Sequence, residues 1–165
     1  MTGLKLLRTG ATLLAAGSMA VSVPAWGQYR QTISNNLSNC SASSGPAVKV
    51  TVRGIETSTG NMRVQSYRGV KADWLKSGRW INRIQTSARA GTMTFCMPVP
   101  AAGVYGIAVR HDKNGNGKTD LSSDGGGMSN NPSINIFNLG KPSYKKTRFT
   151  VGEGVTSITI NMKYM

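Results

Sequence analysis

The chain has 165 residues, with 20 lysines and arginines, 6 acidic residues, one histidine and two cysteines, and its formal net charge is +14. One histidine and two cysteines exclude a standard zinc site, and a single histidine excludes a histidine-rich copper centre within one chain. The length is enough for one domain with a hydrophobic core and is short for two.

Residues 1–27 have the features of a signal peptide. Lys5 and Arg8 precede a mostly apolar run over residues 11–23, and the segment 24–27 offers small residues for cleavage, which we place after Gly27, with Ala25 as the alternative. The run is short for a membrane span, and no later segment reaches about 18 apolar residues. We therefore predict a periplasmic or secreted protein without a membrane span after signal removal. An uncleaved anchor is the alternative.

Residues 28–46 are polar and rich in Ser, Asn and Gly, which predicts a flexible N-terminal arm. Cys40 lies in this arm, and Cys96 lies in a strand-like segment. In an oxidising compartment an even pair of cysteines is more often bridged than free, so we predict a Cys40–Cys96 disulfide, with two free thiols as the alternative. Such a bridge would contribute about 4 kcal/mol in the chain-entropy description.

From residue 47 onward the pattern is that of short strands with one buried face. Three valines alternate with polar residues over 47–53, and 62–68 repeats the alternation after a turn, so we expect a hairpin. Further strands are predicted at 80–86, 92–99, 104–110, 145–151 and 155–163, the last two also forming a hairpin. Residues 47–165 thus predict an all-β domain, a single seven-stranded antiparallel β-sandwich. A long Gly/Asn-rich loop covers 112–142.

The start of this loop has the spacing of a calcium-binding turn. Oxygen ligands could come from the side chains of Asp112, Asn114, Asn116 and Asp120 and from the carbonyl of Lys118. The position of the usual bidentate glutamate is Ser123, and the surrounding positive charge repels cations. The sequence therefore favours a turn held by Asn and Asp side chains and leaves a weak calcium site as the alternative. It predicts no other cofactor.

His111 ends the strand before the loop. We expect it to hydrogen-bond the segment Ser129-Asn130-Asn131 across the loop, so that these residues form one loop surface. Catalysis by His111 with Asp112 is the less favoured hypothesis, because neighbouring side chains on a strand point to opposite faces. We therefore predict no catalytic residue.

Several of these motifs occur together in a known family. Residues 48–64 resemble its "VTVxG…GxVRV" opening, 100–109 resemble "PPGTYAVAV", 111–120 resemble "HDxNGNGKxD", and 127–131 resemble "GFSNN". Over residues 47–163 the chain resembles the bacterial exported family called domain of unknown function 2141 (DUF2141). The resemblance implies a β-sandwich of transthyretin-like or immunoglobulin-like character behind a signal peptide. It implies no particular activity.

The charge of the chain suggests its partners. Removing Lys5 and Arg8 with the signal peptide leaves a net charge of +12, which attracts anionic lipid head groups, lipopolysaccharide or acidic glycans of the envelope. No aromatic stacking motif accompanies the basic residues, so we do not predict nucleic-acid binding. The sequence predicts a non-enzymatic binding or scaffolding module of the cell envelope. The alternatives are a basic adaptor for anionic envelope polymers or lipids, and an enzyme that uses His111 and Asp112.

Overall fold

A computed structural model of the protein describes residues 29–164; the predicted signal peptide, residues 1–27, lies outside the described residues. The described residues form ten strands: β1 (Gln31–Thr32), β2 (Ala47–Ile55), β3 (Asn61–Arg68), β4 (Asn82–Ser87), β5 (Gly91–Pro98), β6 (Gly103–Asp112), β7 (Gly125–Met128), β8 (Phe149–Val151), β9 (Val155–Asn161) and β10 (Lys163–Tyr164). They also form 3₁₀ turns at Leu37–Cys40 and Ile136–Asn138 and the short helix α1 (Tyr144–Thr147). Within residues 29–164, no helix is both long and apolar enough to cross a membrane.

The strands form two sheets, which confirms the prediction of an all-β fold. The large sheet has the order β1-β4-β3-β6-β7-β10, and β8 pairs with β6 beside β7; the small sheet has the order β5-β2-β9. Both sheets are mixed, since β1 is parallel to β4 and β2 is parallel to β9. The predicted details, seven strands and antiparallel pairing throughout, are not confirmed.

Both predicted hairpins are wrong. β2 pairs with β5 and β9 in the small sheet, whereas β3 pairs with β4 and β6 in the large one. Likewise β8 pairs with β6 and β9 with β2. Alternation along a strand identifies its buried face but not its neighbour, and here the connections cross between the sheets.

The inner faces of the two sheets share one hydrophobic core. Val50 of β2, Phe95 of β5 and Ile160 of β9 come from the small sheet, and Met62 of β3 and Ile107 of β6 come from the large sheet; all five are fully buried. Burying side chains of this size contributes about 1.5–3 kcal/mol each before the entropy cost. The core therefore fixes which face of each strand points outward.

A second apolar cluster covers part of the outer face of the large sheet. It contains Tyr67, Trp74, Trp80, Ala108 and Met128. The Trp74 indole donates a hydrogen bond to the carbonyl of Pro142 at 2.9 Å. Gly106 is needed beneath it, because a Cβ there would lie 2.7 Å from the Trp74 ring. The segments around Trp74 and Pro142 thus form a partial third layer on this face.

The N-terminal segment, for which the sequence predicted a flexible arm, is attached to the domain at three points. β1 adds to the edge of the large sheet through β4. Asn35 donates to the Thr94 carbonyl at 2.9 Å and accepts from the Cys96 amide at 3.1 Å. The structure contains the predicted Cys40–Cys96 disulfide, with a Cα–Cα distance of 5.8 Å. The segment therefore links an edge of the large sheet to the small sheet.

We predict that the double variant Cys40→Ala/Cys96→Ala is less stable than the unmodified protein by about 4 kcal/mol, because the closed loop no longer restricts the unfolded chain. Urea denaturation gives this free energy of unfolding. The unmodified protein under reducing conditions is the control and should lose a similar amount. Equal stability of the bridged and unbridged proteins would contradict the prediction.

Candidate functional site

The loop between β6 and β7 is closed by a buried carboxylate at each end. Asp112 Oδ2 accepts a hydrogen bond from the Gly117 amide at 2.9 Å. Asp124 accepts from the amides of Lys113 at 3.2 Å and Asp120 at 3.0 Å. Backbone donors satisfy a buried carboxylate well, since such charge-assisted hydrogen bonds are stronger than neutral ones. The loop is therefore ordered by its own hydrogen bonds.

The predicted calcium ligands lie together in this loop, and most of their oxygens are already used. The side-chain amides of Asn114 and Asn116 donate to Asp120 Oδ2 at 2.9 and 2.7 Å, and these hydrogen bonds lower the pKa of the Asp120 carboxyl. Asn114 Oδ1 accepts from the Asn116 amide, and Asn116 Oδ1 accepts from the Lys118 amide. These are the contacts of a turn held by Asn and Asp side chains.

One buried carboxylate oxygen next to the loop lacks a partner among the described residues. Asp112 Oδ1 is buried and makes no hydrogen bond with the described residues. A cation could use this oxygen, but Asn114 Oδ1 and Asn116 Oδ1 already accept hydrogen bonds from backbone amides. Within residues 29–164, no group of three or more His, Cys, Asp and Glu side chains is placed to hold a metal ion. The loop offers a cation one free buried oxygen and no complete ligand set.

His111 is part of the core instead of a loop surface. Its side chain is fully buried; Nε2 lies 2.8 Å from the Thr59 carbonyl and Nδ1 lies 2.7 Å from the Tyr164 hydroxyl. Since a carbonyl can only accept, Nε2 carries a proton, and in this tautomer of the imidazole Nδ1 accepts from the Tyr164 hydroxyl. The Tyr164 hydroxyl in turn accepts from the Glu56 amide at 3.2 Å. Burial raises the pKa of Tyr164, so this donor keeps its proton at neutral pH.

The segment Ser129-Asn130-Asn131 does not hydrogen-bond His111, so that prediction is wrong. Ser129 is fully buried; its hydroxyl accepts from the Ile107 amide and donates to the Thr147 carbonyl. Asn131 donates to the Thr159 carbonyl and accepts from the Asn161 amide. Asn130 donates to the Arg148 carbonyl. Ser129 lies opposite Ile107, about 13 Å along β6 from His111 at the usual strand rise.

Asp112 does not orient His111 either. The Asp112 carboxylate forms an ion pair with Arg110 at 3.2 Å, two residues earlier on the same outward face, while the His111 ring lies in the interior. Both ring nitrogens of His111 have structural partners. The geometry therefore gives no support to a His111/Asp112 catalytic pair.

The outer face of the large sheet carries a cluster of arginines that sequence reasoning missed. Arg63 on β3 stands directly opposite Arg110 on β6, and Arg83 is on the neighbouring β4. Burial lowers the pKa of the Arg63 guanidinium, as do the charges of Arg110 and Arg83. Burial and the charge of Arg110 also lower the pKa of Arg83. Like charges directly opposite each other destabilise a sheet, so packing alone does not account for this arrangement.

Few carboxylates offset this cluster. In the described part of the chain, ion pairs join Arg79 to Asp73, Arg110 to Asp112 and Lys113 to Glu56, and no carboxylate is within ion-pair distance of Arg63 or Arg83. Arg63 donates to Gln85 at 3.1 Å, and Arg83 stacks over the Trp80 ring at 4.1 Å. Neutral partners thus position both guanidinium groups without cancelling their charge. The sequence pattern places each arginine on the polar face of its strand, but only the pairing register of β3, β4 and β6 brings the three arginines together.

A cavity of about 250 Å³ lies beside the arginines on the same face. Gly126 of β7 contributes to its floor, and Leu139 and Ile134 contribute to its apolar wall. Arg63 and Lys163 contribute positive charge to its lining. The cavity therefore combines an apolar surface with cations.

The fold and this face define the chain as a small two-sheet β protein with a cationic outer face. Residues 50–159 match the family described as "Uncharacterized protein conserved in bacteria (DUF2141)", so the chain belongs to this family and the resemblance of its motifs is confirmed. No curated protein and no solved structure gives a significant match.

We predict that Tyr164→Phe destabilises the protein by about 1–3 kcal/mol, because it leaves His111 Nδ1 buried without its donor. Urea denaturation measures the loss. The control is Tyr67→Phe, since the Tyr67 hydroxyl makes no hydrogen bond with the described residues, and its free energy of unfolding should change little. Nitrogen NMR shifts of His111 should also report the Nε2-protonated tautomer; the opposite tautomer would contradict the hydrogen-bond assignment.

Proposed function

We propose that this protein is an exported, non-enzymatic module of the bacterial envelope that binds anionic components through the outer face of its large sheet. In this proposal the two sheets form a β-sandwich of transthyretin-like or immunoglobulin-like character, and the mature protein is periplasmic or secreted. The observation that carries the binding proposal is the placement of Arg63 directly opposite Arg110 with Arg83 beside them. A bound anion would relieve the repulsion among these arginines.

The distribution of charge supports a polymeric or surface-bound partner. Only six acidic residues oppose the basic ones, and Asp112, Asp120 and Asp124 are engaged in hydrogen bonds within their own loop. A strongly cationic surface attracts acidic glycans, lipopolysaccharide and anionic head groups over about one Debye length, about 8 Å at physiological salt. A disulfide agrees with an oxidising compartment, which supports export.

We predict that retention of the protein on a dextran sulfate resin falls as the salt concentration rises. The double variant Arg63→Gln/Arg83→Gln should lower the slope of log Kd against log salt concentration by about two, because two charge contacts with the resin are lost. Removing mutually repelling charges should leave the fold intact.

The matched control for this test is Arg53→Gln/Arg89→Gln, which has the same net charge. Arg53 is exposed on β2 of the small sheet, and Arg89 is exposed in the β4–β5 turn. This control should keep the salt slope close to that of the unmodified protein. Equal losses in both double variants, or retention that does not depend on salt, would contradict binding at the arginine cluster.

A second proposed property is weak calcium stabilisation of the loop through Asp112, Asn114, Asn116, the Lys118 carbonyl and Asp120. The unpartnered, buried Asp112 Oδ1 favours it. Because the ligand set is incomplete and the net charge of the protein is positive, we expect weak calcium binding, with a Kd of about 10⁻⁴ to 10⁻³ M. In this proposal calcium displaces the backbone amides that now donate to Asn114 Oδ1 and Asn116 Oδ1.

We predict that calcium at ten times Kd stabilises the protein by about 1.4 kcal/mol. Asp120→Asn should abolish this effect, because it removes a ligand charge. Glu153→Gln, which removes an exposed carboxylate in the β8–β9 turn, is the control and should leave the effect unchanged. Thermal unfolding of each variant with and without calcium measures this stabilisation. If 10 mM calcium shifts neither the melting temperature nor the heat in a calorimetric titration, the loop does not bind calcium.

A further inference from the structure

The cavity on the outer face has a floor made by a glycine whose packing does not require glycine. A Cβ on Gly125 would clash with the Tyr164 ring, and a Cβ on Gly127 would lie 2.6 Å from Ile160. These two glycines face the packed interior. A Cβ on Gly126 would instead meet nothing nearer than Ile134 Cδ1 at 4.0 Å, and the backbone of Gly126 is not in the left-handed region.

Glycine weakens a strand, because it has no side chain to pack and loses more backbone entropy on folding than other residues. In a strand interior it often marks a place where a ligand or another backbone approaches closely. Here the missing side chain leaves open space between the backbone of β7 and the apolar wall formed by Ile134 and Leu139. The strand thus retains a destabilising residue where it lines the cavity.

Cations lie on both sides of this glycine in the sheet. The register places Gly126 opposite Arg110 of β6 and opposite Lys163 of β10, and Arg63 continues the row on β3. At the usual strand spacing the backbones of β6 and β10 are about 10 Å apart, so side chains from both can reach one small anionic group above Gly126.

Two carboxylates also line the cavity, but both are held by their own loop. Asp124 accepts from two backbone amides, and Asp120 accepts from the amides of Asn114 and Asn116. Arg110 donates through Nη1 and Nη2 to Thr119, Gly117 and Asp112, and its Nε is buried without a hydrogen-bond partner among the described residues. No ion pair joins Arg63 or Lys163 to a carboxylate of the described residues, so the charges of these two side chains are available to an anion in the cavity.

We propose that this cavity binds a small amphiphilic anion, with a carboxylate or phosphate group held near Arg63, Arg110 and Lys163 and a short apolar body against Met128, Ile134 and Leu139. This inference rests on the proposed anion-binding function and specifies its ligand class. The volume of about 250 Å³ corresponds to about eight water-sized groups, which suits a medium-length acyl chain. The anionic group gives charge recognition, and the apolar body distinguishes this ligand from a simple ion.

Isothermal titration calorimetry with octanoate tests the proposal, with acetate and 1-octanol as probes that lack the chain or the charge. The unmodified protein should bind octanoate at least tenfold more tightly than either. Gly126→Leu fills the cavity without removing a charge and should weaken octanoate binding at least tenfold. Gly152→Leu is the matched control, since Gly152 also has open space and no left-handed backbone, and it should bind like the unmodified protein.

Other variants test the two halves of the ligand and keep the result interpretable if Gly126→Leu fails to fold. Arg63→Gln should weaken the binding of octanoate but not that of 1-octanol. Leu139→Asn should weaken octanoate binding without changing the retention of the protein on dextran sulfate. Leu139 is exposed and has a φ of 48°, which asparagine tolerates better than leucine.

The outcomes separate this inference from the proposed function. If the protein binds dextran sulfate at the arginine cluster but does not bind octanoate, the cavity proposal is wrong and the proposed function stands. If folded Gly126→Leu binds octanoate as the unmodified protein does, the cavity is not the site. Binding of 1-octanol as tight as that of octanoate would overturn the anionic part of the proposal.

Discussion

The alternation of side chains along β6 is the constraint on which both the core and the outer face depend. β6 pairs with β3 along one edge and with β7 and β8 along the other. Ile107, Val109 and His111 point into the interior and are buried, which forces Ala108 and Arg110 to the outer face. Hydrophobic burial thus determines the position of the arginine cluster, although like charges opposite each other in a sheet are unfavourable.

The sequence predicted what depends on local pattern and missed what depends on pairing. The alternation around Val50 and Ile107 correctly indicated strands, and the even cysteine count, taken with the predicted export, correctly indicated a Cys40–Cys96 bridge. The alternation could not show that β2 and β3 belong to different sheets, because every second residue of a strand is buried whichever strand pairs with it. His111 was misplaced for a related reason: its partner Tyr164 comes from the far end of the chain.

The loop and the cavity illustrate two ways of arranging polar groups. In the loop, Asp112, Asn116 and Asp124 accept hydrogen bonds from nearby backbone amides, so the sequence pattern of the loop is accounted for largely by structure. Around the cavity, Arg63 and Arg110 repel each other, and Gly126 leaves space unfilled. Unfavourable features of this kind, which do not improve packing or hydrogen bonding, are characteristic of functional sites. The residues around the cavity, whose sequence pattern is less conspicuous than that of the loop, therefore form the better candidate site.

The parallel pairing of β2 with β9 has a consequence for how the protein is made. Ala47 lies beside Val155, and β10 adds the last strand to the large sheet, so each sheet needs residues from the C-terminal end. A chain emerging from the ribosome cannot complete either sheet until residues 155–164 have been synthesised. Contacts this far apart in sequence also form slowly, because a long loop must close first. The topology thus delays completion of both sheets until residues 155–164 can pair with strands formed much earlier in the chain.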